Sequence, residues 1–173
     1  MEMSFLSMWA NPLALTFGHT HLSGRTKKDP TRFCDLPEVK LIMQTIDKGG
    51  LGEAIIRMLV LIAGTRKGGV RHDRLERSME TMHSRPPLSN MHVDARVKLI
   101  HEQTVIAHFN AELALSTLPK LITTPADRKA AMDALLYVLG AQDEMAPETR
   151  TMVDVMADLL GQPKSGATTA AAE

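Results

Sequence analysis

Leu51-Gly-Glu-Ala-Ile-Ile-Arg-Met-Leu-Val-Leu-Ile-Ala63 is the stretch on which the fold turns. Leu51, Ile55, Met58, Leu59 and Ile62 share one helical face, while Ile56, Val60 and Leu61 lie on the others. A helix that is apolar nearly all round belongs in a core or in a membrane. At about 1.5 Å per residue this one is roughly 20 Å long, too short to span a bilayer. A central core helix is therefore the economical reading. Its β-branched residues also allow a buried strand, and the sequence leaves that alternative open.

Helix punctuation surrounds this segment. Asp35-Leu-Pro-Glu38 reads as a capping box opening a helix to about Asp47, which Gly49-Gly50 stops. After Gly64 and Gly68-Gly69, a polar helix from about His72 to Met82 carries Leu75, Met79 and Met82 as its apolar stripe, and Arg85-Pro86-Pro87 ends it. Asn90 to Asp94 leads into a helix reaching about Phe109, with Val93, Val97, Ile100, Thr104 and Ala107 at core spacing. Asn110 caps Ala111 to Leu118, which Pro119 kinks or ends. Thr124-Pro125-Ala126-Asp127 starts a helix that buries Ala131, Ala134, Leu135, Val138 and Leu139 before Gly140. Pro147 opens the last helix, with Met152, Val155, Met156, Leu159 and Leu160 as its stripe and Gly161 as its stop.

These signals predict an all-α, compact bundle of six or seven helices over residues 35–161. Residues 1–34 read as an irregular or mobile lead-in, and 162–173, rich in Gly, Ala and Thr, as a disordered tail. Composition agrees. A chain of 173 residues is long enough to bury a real core, and with aromatics at only 3% the apolar volume comes from Met, Ala and Leu, which favour helices. The apolar stretch from Met3 to Phe17, broken by Asn11-Pro12, reads as neither signal peptide nor anchor. Cys34 stands alone, which excludes an internal disulfide and a Cys-based zinc site and suits a reducing, cytoplasmic setting.

Net charge is zero, which argues against general nucleic-acid binding. It is unevenly spread: Lys and Arg outnumber Asp and Glu by 15 to 10 over residues 1–101, and are outnumbered 5 to 10 over 102–173. That asymmetry could orient a partner protein or a second copy. The basic group Arg66, Lys67, Arg71, Arg74 and Arg77 is the candidate contact for an anion or an acidic partner, weighed against a solvated face laced by Asp73 and Glu76. Asp143, Glu144 and Glu148 cluster at the start of the last helix, where they complement its dipole, with a divalent cation as a further candidate.

Enzymatic signatures are missing from the sequence. The histidines lack the i, i+4 spacing of a helical metal pair, because His101 and His108 are seven apart. Neither Gly49-Gly50-Leu51-Gly52 nor the stretch from Gly64 to Gly69 matches a phosphate loop, and Cys34 beside Asp35 is a poor nucleophile. The expectation is a chain without chemistry or cofactor of its own.

Two stretches, Val60 to Glu76 and Leu136 to Arg150, each run from apolar helix through a small-residue turn into a new helix with acids near its start. This arrangement resembles the TerB-like (tellurite-resistance) helical domain, and the resemblance implies an acidic cation-binding patch at both turns. Arg66-Lys-Gly-Gly69 departs from that pattern at the first turn, whereas Asp143, Glu144 and Glu148 keep it at the second. Over about Gly49 to Gly161 the chain is also similar to the C-terminal helical part of bacterial proteins labelled hydroxyalkanoate synthetases, through Glu53 to Leu61, Asp73 to Ser78, His101-Glu-Gln103 and Thr117 to Leu121. That likeness implies a detached accessory module, or a subunit supporting polyhydroxyalkanoate synthesis with the chemistry on another chain. The TerB-like likeness implies instead a divalent-cation binder in a stress response.

Overall fold

The computed structural model describes residues 36–65, 72–141, 143 and 145–163. Asp35, the predicted lead-in and all but the first two residues of the predicted tail lie outside these. The described residues form helices and no strand: α1 (Pro37–Met43), α2 (Leu51–Gly64), α3 (His72–Ser84), α4 (Val93–Phe109), α5 (Ala111–Ser116), α6 (Leu118–Leu121), α7 (Pro125–Leu139) and α8 (Pro147–Leu160), with a 3-10 turn at Leu88–Asn90. Among the described residues, no helix is long and apolar enough to cross a membrane.

The segment from Leu51 is a helix, and a central one. α2 buries nine of its fourteen residues and packs against α4, α7, α5, α6 and α8. A strand would present only two faces to these neighbours; a helix apolar all round meets them on every side. Its start is set by Gly49 at φ +141 and by Glu53, whose carboxylate accepts from the Gly50 N–H at 2.8 Å. Gly52 lets the loop ahead of α4 close on α2: a Cβ there would already touch Pro87 and Leu88 at 3.4 Å.

Several caps fall where the residue types place them. Thr124 accepts from the Asp127 N–H at 3.1 Å, and Asn110 from the Leu113 N–H at 2.9 Å. Gly161, at φ +63, takes the left-handed stop after α8.

Other expectations need correction. α1 begins after Leu36, the predicted Asp35 cap lying outside the described residues, and it ends at Met43; Thr45 and Ile46 then bond three residues back, to Ile42 and Met43, so the chain tightens into turns before Gly49. α5 stops at Ser116, and Pro119 opens the single turn α6 instead of ending α5. On α4 Ile100 is buried and Val97 and Ala107 pack against the core as expected, but the fully buried residues also include Leu99, Gln103, Val105 and Ile106, and Val93 is 55% exposed. On α8 the inward face is Thr149, Val153, Met156, Ala157 and Leu160, which turns Val155 and Leu159 outward.

Candidate functional site

Arg57 sits in the middle of α2, between Ile56 and Met58, and is fully buried. Its Nε donates to Gln103 Oε1 of α4 at 2.7 Å. Nη1 donates to the Ile46 carbonyl in the turn after α1 and to Thr117 Oγ1 between α5 and α6, each at 2.7 Å. Nη2 has no hydrogen-bond partner among the described residues. One guanidinium thus joins four segments far apart in sequence. Burial lowers the Arg57 pKa to about 10, while the Glu53 carboxylate one turn earlier acts the other way. The group remains a cation at neutral pH, in the driest part of the fold.

Thr117 is itself held, since its hydroxyl also lies 3.0 Å from the carbonyls of Leu113 and Ala114. Gln103 is 3% exposed. A carboxamide oxygen, a hydroxyl oxygen and a backbone carbonyl from three parts of the chain converge as acceptors on this one buried cation.

The predicted basic group does not form one solvated face. Arg66, Lys67 and Arg71 lie outside the described residues. Arg74 is buried, at 3% exposure, on the inward side of α3. Arg77 is half-buried and pairs with Asp73 at 3.1 Å. The guanidinium of Arg77 also lies where a side chain on Gly140 would go, so α3 and α7 approach closely there. The α-helical period explains the split. Residues 71, 74 and 77 do follow one another along a helix, but the strip they follow turns towards the core at 74.

Beside this pair, on the outer side of α3 and α7, Tyr137 donates its hydroxyl to Glu80, and the Arg85 guanidinium lies 4.6 Å from the centre of the Tyr137 ring. The hydrogen bond to Glu80 raises the Tyr137 pKa above its ordinary value. Of the predicted acids, Asp143 and Glu148 are exposed, and Glu144 lies outside the described residues. Among the described residues, no group of three or more His, Cys, Asp or Glu side chains could hold a metal ion.

Sequence reading missed Arg57, Gln103 and Thr117 as a set. A lone Arg inside an apolar run, one turn after Glu53, was the available signal. Compared with known proteins, the chain matches no family model, no curated protein and no solved structure.

Proposed function

We propose that this chain is a helical protein-interaction module, without catalysis of its own, acting in the cytoplasm as a detached accessory domain of the hydroxyalkanoate synthetase-like kind. The observation that carries the reading is the outer face of α8. Val155 and Leu159 lie one turn apart there, 39% and 37% exposed, on a helix whose opposite side is sealed into the core. Apolar side chains paired at i and i+4 on a rigid helix suit a groove or helix of another protein.

Affinity capture from native lysate with the wild-type chain and with V155E/L159E as baits tests this. The expected result is a partner retained by the first and lost by the second, with both baits melting alike. Identical captures by the two baits would overturn the role of α8. A synthase or polymer granules among the wild-type captures would identify an accessory subunit of polyhydroxyalkanoate synthesis. Calorimetry with calcium addresses the TerB-like alternative, in which Asp143, Glu144 and Glu148 would take up the ion.

A further inference from the structure

Helix α1 and the turn behind it are lightly anchored. Among these residues only Val39 is fully buried; Ile42, Met43 and Ile46 are half-buried and Leu41 is 65% exposed. The helix has only seven residues. Its turn leads to Gly49, whose φ of +141 reverses the chain into α2. Elements with few buried contacts open at lower free energy than the core they rest on.

This light element covers the most costly group in the fold. The Nη1 and Nη2 atoms of a guanidinium form a fork that matches the two oxygens of a carboxylate. At Arg57 one neutral carbonyl, from Ile46, sits on Nη1, and Nη2 is without an acceptor among the described residues. The other contacts come from Gln103 and Thr117, which belong to α4 and the α5–α6 junction and not to α1. Removing α1 would leave the cation in place, with its fork open beside the apolar surface that Val39, Ile42 and Met43 cover.

We infer that residues 37–48 are a displaceable strap, and that opening it presents Arg57 to a carboxylate of a partner's acidic, apolar peptide segment. Such a segment replaces both what the strap gives the core and what it fails to give Arg57. Its apolar side chains take the places of Val39, Ile42 and Met43, and its carboxylate supplies the two charged acceptors that the Ile46 carbonyl does not. For its partner the inference rests on the interaction-module reading. Strap opening is measured on the isolated chain, so its failure is distinguishable from a failure at α8.

Amide hydrogen exchange read by mass spectrometry tests this on the full chain. The probe is a synthetic peptide alternating Leu and Glu, with a control in which Gln replaces every Glu. Without probe, amides at 38–48 exchange about ten-fold or more faster than those of α2. The Glu peptide speeds exchange of the strap several-fold and leaves α2 unchanged, whereas the Gln peptide does neither. Arg57→Lys, which keeps charge but lacks the fork, loses the response. A strap exchanging as slowly as α2, or equal effects of the two peptides, overturns the inference on the wild-type chain alone. A folded Arg57→Lys variant that responds as wild type does would overturn the role of the fork.

Discussion

Removing the acceptor should harm this protein more than removing the buried cation. Gln103→Leu leaves Arg57 charged and enclosed, with Nε added to an Nη2 that already lacks a partner among the described residues. Breaking one side of a buried, hydrogen-bonded charge costs about 3 kcal/mol or more. Arg57→Met acts differently. Burial takes the Arg57 pKa down to about 10, which costs the folded protein about 3 kcal/mol at neutral pH, and Met removes that cost. Against this, three hydrogen bonds to a charged donor are lost, at about 1.5 kcal/mol each. Thr117 keeps its local carbonyl contacts, so Gln103 and the Ile46 carbonyl are the groups left short of a donor. The net cost is about 1–2 kcal/mol.

In Arg57→Met/Gln103→Leu the stranded carboxamide is gone as well, and the double variant should be more stable than Gln103→Leu alone. Urea unfolding followed by circular dichroism at pH 7 measures all three, with an unchanged slope required for comparison. If Arg57→Met costs more than Gln103→Leu, the hydrogen bonds of the cation outweigh its burial cost by far more than this and the reasoning fails. The pH dependence supplies an independent sign. The folded-state pKa, about 10, lies below the unfolded one, so from about pH 10 up to the unfolded pKa the unfolded chain binds the proton more tightly. Stability of the wild type relative to Arg57→Met must therefore rise with pH through that window.

Gly140→Ala should cost about 2 kcal/mol, because φ +78 with ψ −156 is a region that only glycine enters freely. Adding Arg77→Ala should recover little of it in a thermal melt, since the Arg77 tip can move aside; full recovery would assign the cost to collision and not to backbone strain. Thr149→Val should leave the melting temperature unchanged or raised, because the Thr149 hydroxyl is buried without a hydrogen-bond partner among the described residues. A clear loss would point to an acceptor that the hydroxyl does reach. Ultraviolet titration of Tyr137, the chain's single tyrosine, should fall towards the ordinary range in Glu80→Gln, and an unmoved midpoint would separate the two side chains in solution.

How much was legible in the sequence depends on how local each signal is. Thr124, Asn110 and Gly161 act through backbone groups within a few residues, and their caps form as their side chains or left-handed geometry dictate. Inward faces were harder to read. On α4, Ala, Val and Ile are spread so evenly that the series from Val93 to Ala107 looked apolar, while the true inward face runs through Leu99, Gln103 and Ile106. Gln103 reads as surface until its partner is known, and that partner is 46 residues away. On α8, five apolar residues gave a broad stripe, and the sequence alone could not show that the bundle uses only its Met156 and Leu160 side. Polar groups whose burial depends on one distant partner carry little signal by themselves.

The same limit applies to the arginines, whose partners are distant or backbone groups. Arg96 Nη1 donates to the Met82 carbonyl at 2.8 Å, Arg128 Nε to that of Ile122 at 3.0 Å, and Arg150 Nε to that of Met145 at 3.2 Å. With Arg57 on Ile46, four guanidinium groups are anchored to backbone carbonyls in the last turn of a helix or in the connections between helices. Short helices leave a large share of carbonyls without an intrahelical donor, and a chain with 3% aromatics has few broad side chains to cover those ends. A long, forked donor reaches them from a neighbouring helix while its methylenes pack over apolar surface. Positive charge in this bundle is therefore partly a device for closing loops. Arg57 extends the device to a fully buried position, where a neutral carbonyl is a weaker acceptor for a cation than a carboxylate would be. That mismatch is what makes the turn after α1 the place where a competing acid can act.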